Sequence, residues 1–304
     1  MLGTLADPVL PIFAVLAAGY LFQKFGFMDT GHAAAINRFV FYIAAPALGI
    51  SVIGRAEPAA IDWPPVAVYF GAQAAVYLSV FLLMRLGFRR EPGEALLLGM
   101  TAVFANHIFF VLPISERFYG PAAAEGMAGI LLLDIAVVFC GTALLAEILT
   151  SESRGIGRTF AMLARNPFVY APPLGVLLGL LGPLAPSGVW TFLTFTSAAA
   201  APIVLFSLGI TLAASPIFPV RLPCWCVAAA KLAAMPLIVW SGLRGLDGGM
   251  DATSREITLL VAAGPCGALP YVIATQYGIR TVTIAKTILI STVISLVSLS
   301  VLLP

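Results

Sequence analysis

Charge is what this sequence most lacks. Of its 304 residues only 10% are charged, 16 basic and 14 acidic, while 61% are apolar and the mean hydropathy is +1.03. Soluble domains carry roughly a quarter charged residues, so water is excluded as the main solvent. Histidine is scarce too, with two copies. No His-Glu-x-x-His, no Gly-x-Ser-Gly and no pair of mid-membrane aspartates occurs, which argues against an intramembrane enzyme. The four cysteines, Cys140, Cys224, Cys226 and Cys266, lie in apolar runs without metal or redox spacing and read as packing residues. A net charge of +2 spread over many turns makes no basic patch, so nucleic acid is excluded as a partner. Neither a catalytic residue, a bound metal nor a cofactor is expected.

What is abundant is apolar sequence of spanning length, since a membrane helix needs about 20 such residues. Apolar runs between charged or Gly/Pro punctuation predict ten helices, near 7–25, 33–53, 64–86, 94–118, 122–147, 166–182, 189–213, 222–243, 255–277 and 281–303. The first run lacks a basic leader and a small-residue cleavage site, and reads as a helix rather than a signal peptide. The expected fold class is an all-α polytopic membrane protein. Its one loop rich in polar residues, from Thr150 to Arg158, divides five helices from five.

The halves resemble each other. Asp7-Pro8 with Pro11 answers Asn166-Pro167 with Pro172, Ala45-Pro46 answers Ala201-Pro202, and Trp63-Pro64 answers Leu222-Pro223. Leu112-Pro113 leading to Tyr119-Gly120 answers Leu269-Pro270 leading to Tyr277-Gly278. The order is shared throughout, so residues 1–150 and 166–304 are expected to be two repeats joined by a cytoplasmic linker at 151–165. Five helices per repeat invert the second against the first, an arrangement that recurs in secondary transporters. Odd-numbered loops hold Lys24, Arg85, Arg89, Arg90, Arg154, Arg158, Arg165, Arg221 and Arg280, whereas even-numbered loops hold Arg55, Arg117, Arg244 and Arg255. That bias puts the odd loops in the cytoplasm and both termini outside a cell membrane.

The candidate site follows from what breaks the pattern. Helix 4 carries Asn106-His107 and then Pro113, whose ring displaces the Phe109 carbonyl. Helix 9 carries Gly264-Pro265-Cys266-Gly267-Ala268-Leu269-Pro270, in which a continuous helix is improbable. Broken helices at matching places in inverted halves point to a binding site, and half-helix N-termini suit an anion. Asn106, His107, Pro113, Pro265, Gly267 and Pro270 are therefore the substrate-binding candidates. As plain structural features, the prolines would be kinks and Asn106 a hydrogen-bonding bridge between helices. His107 is the residue that could titrate near neutral pH and couple protons. Asp134 and Lys231 are charges stranded mid-helix and are expected to pair, either as an ion-coupling element for protons or sodium or as a purely structural pair. Gln73 stands at nearly the repeat-equivalent position of Lys231. Glu116, Glu147, Arg38 and Lys286 are expected to reach the membrane interface.

Several of these motifs also resemble a known family. Asn37-Arg38-Phe-Val-Phe-Tyr-Ile-Ala-Ala-Pro46, Asn106 with Pro113, Arg165-Asn166-Pro167, Lys231 with Pro236, and Pro265 to Pro270 followed by Tyr271 to Gly278 are similar to the signatures of the auxin efflux carrier family. The resemblance covers nearly the whole chain. It implies a fold similar to bile-acid symporters and sodium/proton antiporters, with helices 1, 2, 6 and 7 as a scaffold, often dimeric, and helices 3–5 and 8–10 as a mobile transport domain. Helices 4 and 9 would cross at a carboxylate substrate. Ala105 stands where the family usually has glycine, and His107, Phe109 and Phe110 follow where it has small residues, which implies a tighter, more aromatic site. The expected function is secondary transport of a small organic anion. A receptor or channel on the same fold is the alternative.

Overall fold

The computed structural model describes residues 2–56, 59, 61–120, 122–150, 157, 161, 164–214, 219–245 and 250–302. Most of the expected linker at 151–165, with Arg154 and Arg158, lies outside the described residues. The described elements, in chain order, are α1 (Leu2–Lys24), α2 (Thr30–Arg55), α3 (Trp63–Gly87), α4 (Pro92–Thr101), α5 (Leu112–Tyr119) and α6 (Ala122–Thr150). There follow α7 (Pro167–Leu181), α8 (Ser187–Ala214), α9 (Leu222–Gly245), α10 (Ala252–Ala263), α11 (Leu269–Gln276) and α12 (Val282–Leu302). Among the described residues six helices are long and apolar enough to cross a membrane, and they include α2, α3, α6, α8 and α9. The expected spans 94–118 and 255–277 are each divided: the chain is not α-helical from Ala102 to Asn106, nor from Gly264 to Ala268. Leu180, Leu184 and Phe195 are 80% or more exposed, the surface that a hydrocarbon solvent rather than water allows.

The helix starts follow from local chemistry. Asn166 accepts a hydrogen bond from the Phe168 N–H at 3.0 Å, and Pro167 occupies the first turn, where its missing N–H costs nothing. Asp29 and Asp251 cap α2 and α10 in the same way, through the N–H groups of His32 and Ser254. Pro64 and Pro223 likewise sit in the first turns of α3 and α9.

Three prolines inside helices follow π-helical segments. Val40–Ala44 precedes Pro46, His107–Val111 precedes Pro113 and Ala230–Ala234 precedes Pro236, each time with one residue between. A proline in an α-helix clashes with the carbonyl four residues back, and a wider π turn upstream relieves that crowding. At Pro113, where the sequence predicts a broken helix with a plain kink as the alternative, the proline itself stands at a π-to-α transition and the interruption lies upstream, from Ala102 to Asn106. Asp134–Phe139 is also π-helical, so His107, Asp134 and Lys231 all stand in such segments.

Two close helix crossings hold α1 against α8 and α2 against α7. Gly209 lies against the Leu16 carbonyl, and Gly19 against the Phe206 backbone. At the second crossing a Cβ on Gly175 would lie 3.0 Å from the Ile50 carbonyl oxygen, and one on Gly179 would lie 2.7 Å from that of Gly54. Small residues let helix backbones approach in lipid, where packing rather than hydrophobicity drives association. The crossings match: the step in sequence from Leu16 to Gly175 equals that from Ile50 to Gly209. Gly209→Leu is expected to force the first crossing apart at a cost of about 1–3 kcal/mol or more. It should appear as a lowered unfolding temperature in detergent, while Gly188→Leu, in open space, leaves that temperature unchanged.

Candidate functional site

Where α4 ends, regular α-helix stops for five residues, Ala102 to Asn106, although the N–H groups of Ala102, Val103 and Phe104 still bond back to the last turn, and the chain becomes helical again at His107; a five-residue gap likewise separates α10 from α11. Backbone groups so freed need partners. Each stretch supplies the other's. The Asn106 N–H donates to the Pro265 carbonyl at 2.8 Å, the Gly267 N–H donates to the Phe104 carbonyl at 2.8 Å, and Ala105 and Cys266 form an antiparallel bridge. The Cys266 N–H donates to Ser291 Oγ of α12 at 3.1 Å. Gly267 is required by this approach, since a Cβ there would meet both the Ala105 carbonyl oxygen and the Phe104 ring at 2.8 Å.

Asn106, His107, Gly267 and the carbonyl of Pro265 thus come together. The Asn106 side chain is half-buried and hydrogen-bonds to nothing among the described residues. It lines a small cavity of about 40 Å³ with His107, Phe109, Phe168, Gly267 and Leu269. Pro113 and Pro270 lie in the first turns of α5 and α11, beyond the crossing. The first N–H groups of the segment starting at His107 have no intrahelical acceptor, whereas at the start of α11 only the Leu269 N–H is left, since Pro270 carries none and the Tyr271 N–H bonds the Ala268 carbonyl at 3.0 Å.

Behind the crossing lie the buried charges, and here the expected pairing is corrected. Asp134 does not pair with Lys231. Its Oδ1 accepts from Gln73 Nε2 at 2.7 Å, and its Oδ2 lies 3.0 Å from His107 Nε2. The ring N–H is not aligned on Oδ2, so this second contact is electrostatic rather than a directed hydrogen bond. Lys231 instead donates from Nζ to the carbonyls of Ala262, at 2.7 Å, and Val261, at 3.4 Å. Those carbonyls end α10, where the helix dipole is negative and acceptors are orphaned, so a cation there is stabilised without a carboxylate. Gln73 reaches the Val103 carbonyl, just past the end of α4, at 3.4 Å. Gln73 and Lys231 therefore bind matching carbonyls in the two halves, one as a neutral amide and one as a cation.

A larger cavity, about 760 Å³, opens between α1, α2 and α8 on one side and α5 and α6 on the other. Its volume is within the range of small-molecule sites. Its lining includes Ser51, Arg55, Pro113, Glu116, Thr194 and Ser197, and Ile108 is common to both cavities. Arg55 donates to Thr194 Oγ1 at 2.8 Å and lies 5.3 Å from the Trp190 ring centre. Sequence reasoning counted Arg55 only as a loop charge, and nothing local marks it out, because its partners come from α8. Glu116 lines the same cavity. Glu147, expected at the interface, is 5% exposed and buried in protein. Glu94, also missed, is buried against Arg90 at 3.2 Å and Thr283 at 3.3 Å.

Residues 4–161 and 156–303 match the sequence pattern of the family described as membrane transport protein. The chain belongs to that family. This is the auxin efflux carrier family whose signatures its motifs resemble. A Rhizobium meliloti protein named "Putative malonate transporter" is 27% identical to this transporter, over 97% of the chain and 93% of the relative. An uncharacterized transporter of Methanothermobacter thermautotrophicus is 26% identical over 96% and 95%. Another from Escherichia coli K12, named YfdV, is 24% identical over 93% and 91%. Family and relatives are membrane transporters, not enzymes, and the chain is a multi-pass membrane protein.

Gly267→Ala in this transporter is expected to push the two crossing segments apart. A lowered unfolding temperature, with a cost of about 1–3 kcal/mol, checks this, together with faster amide exchange at Asn106 and Gly267.

Proposed function

We propose that this transporter carries a small organic anion, a carboxylate, and binds it at the crossing of the Phe104–His107 and Gly264–Leu269 stretches. The observation that carries the reading is the unpartnered Asn106 amide, set in a small void between two helix beginnings. An amide that can donate, N–H groups without acceptors and the positive ends of two short helices make a site for negative charge in a medium of low polarity. Pro113, Pro265, Gly267 and Pro270 shape the backbone for it. The name of the Rhizobium relative makes malonate a first test substrate.

The architecture proposed is ten spans in two inverted five-helix repeats, with the divided fourth and ninth spans crossing at the site. Support comes from the matched crossings of α1 with α8 and α2 with α7, and from the matched carbonyl contacts of Gln73 and Lys231. Helices α1, α2, α7 and α8 form the scaffold, through which a homodimer would assemble. The remaining helices form a transport domain that slides against it, an elevator-type alternating access. In the cell membrane both termini face outward by the distribution of basic residues. The large cavity is lined by Arg55 and Gly120 at the outward ends of α2 and α5, so this conformation is open to the outside, with Arg55 at the mouth. Cations in such a mouth raise local anion concentration and capture rate.

Transport into proteoliposomes tests this, with a panel of mono- and dicarboxylates including malonate, malate and indole-3-acetate. Saturable movement of one acid is expected, abolished in Asn106→Ala with the protein still folded. Undiminished affinity in that variant would remove Asn106 from the site. Arg55→Gln is expected to raise KM several-fold at low salt with little change in maximal rate, and the difference should shrink as salt screens the charge. Currents far above carrier turnover would identify a channel instead.

A further inference from the structure

The cluster behind the crossing is more than the anion site requires. His107 and Asp134 are 2% and 0% exposed, and His107 Nδ1, Asp134 Oδ2, Gln73 Oε1 and the Tyr69 hydroxyl are all buried without a hydrogen-bond partner among the described residues. Four such groups at one place are unusual in a folded protein, where nearly all buried polar atoms are paired. They surround a buried imidazole–carboxylate contact, 3.0 Å between Nε2 and Oδ2. The imidazole is held edge-on to the Phe104 ring, with centroids 5.6 Å apart, and is adjacent in sequence to Asn106.

We propose that His107 and Asp134 form a proton-loading site that moves with the substrate, so that each anion is carried together with one proton. The cargo in this statement rests on the carboxylate reading above; the proton site rests on the buried cluster alone. The charge count gives the reason. With His107 neutral, Asp134 and Lys231 cancel, and an arriving anion leaves the buried site one negative charge in excess. A proton taken from water onto the imidazole, which then holds hydrogens on both Nδ1 and Nε2, cancels one charge of the anion: a monoanion leaves the loaded site neutral, and a dianion such as malonate leaves it at minus one instead of minus two. Burying charge in hydrocarbon is costly, so the loaded site is the one suited to crossing. On the far side the anion leaves and the imidazole returns its proton to water. Each N–H bond formed on the imidazole is matched by an O–H bond broken in hydronium, and release on the far side reverses both.

A proton fits this cluster better than sodium. Sodium is a hard cation that wants several oxygen ligands, whereas here one carboxylate oxygen already binds the Gln73 amide and the other faces a ring nitrogen at 3.0 Å, with no gap for an ion. The other groups facing the pair are few. Tyr69 and Gln73 come from α3, Lys231 from α9 lies within electrostatic reach of Asp134, and Cys266 from the opposite stretch lies within reach of Lys231. His107, Asp134, Gln73 and Lys231 all lie outside α1, α2, α7 and α8, so a proton held there travels with the moving helices rather than staying with the frame.

The test exploits the two histidines of the chain. In protein labelled with ¹⁵N-histidine, and with His32→Gln removing the exposed one, nuclear magnetic resonance follows the His107 ring alone. The ring is expected to pass from one to two bound protons as pH falls between about 8 and 5, and to stay neutral over that range in Asp134→Asn. A ring that does not change, or that changes identically in Asp134→Asn, would overturn the proton site whatever the substrate. In proteoliposomes with the membrane potential clamped, a malonate gradient is expected to drive about one proton per malonate, read by an internal pH dye. His107→Gln should lose the proton movement. Malonate moving without protons would overturn co-transport. A titrating His107 with no acid of the panel transported would overturn the carboxylate reading and leave the proton site supported.

Discussion

Everything near the centre of this protein depends on one requirement: backbone groups released from a helix inside hydrocarbon must be paired. Water is not there to do it, and each unpaired group costs several kcal/mol. The solution is reciprocal. The Phe104–Asn106 and Pro265–Gly267 stretches satisfy each other through two 2.8 Å hydrogen bonds, so neither interruption is stable alone. That mutual dependence fixes the other choices around it. Glycine is needed at 267 for the approach, a cation at 231 closes the end of one helix, and an amide at 73 closes the end of the other. What remains without a partner at the crossing among the described residues, the Asn106 side chain and N–H groups at the starts of two helices, chiefly the one at His107, is left over for a ligand.

Which features were legible in sequence depended on how local their causes are. Membrane residence could be read from composition, because solvent acts on every residue at once. Helix starts at Asn166-Pro167 and Trp63-Pro64 could be read because capping and proline geometry involve adjacent residues. Asp134 and Lys231 stood out because a charge in an apolar run is costly wherever it lies. Their partners were not legible. Opposite charges suggested a pair, but Lys231 was satisfied by carbonyls at the end of α10, and Asp134 took one hydrogen bond from Gln73 with His107 set beside its other oxygen. Those choices are made by helix packing, between residues 27 or more positions apart. Arg55 was missed for the same reason, its role being set by α8.

The π-helical segments belong to both stories. Sequence marked the prolines and predicted kinks, but not that the strain would be absorbed one turn earlier, by widening the helix. Because His107, Asp134 and Lys231 all fall in widened turns, their side chains project at angles that a regular α-helix would not give. The chain thus uses one backbone device both to tolerate proline and to aim its buried polar groups.

These widened turns also bear on how such a chain can change length. A π segment is an α-helix holding one residue more than its turn needs. Losing that residue would restore a regular helix and leave both flanks facing their present neighbours, whereas a deletion elsewhere in a span would rotate every residue beyond it by about 100°. Single-residue differences in length between relatives should therefore gather at Val40–Ala44, His107–Val111, Asp134–Phe139 and Ala230–Ala234, and be absent from the glycine crossings of α1 with α8 and α2 with α7.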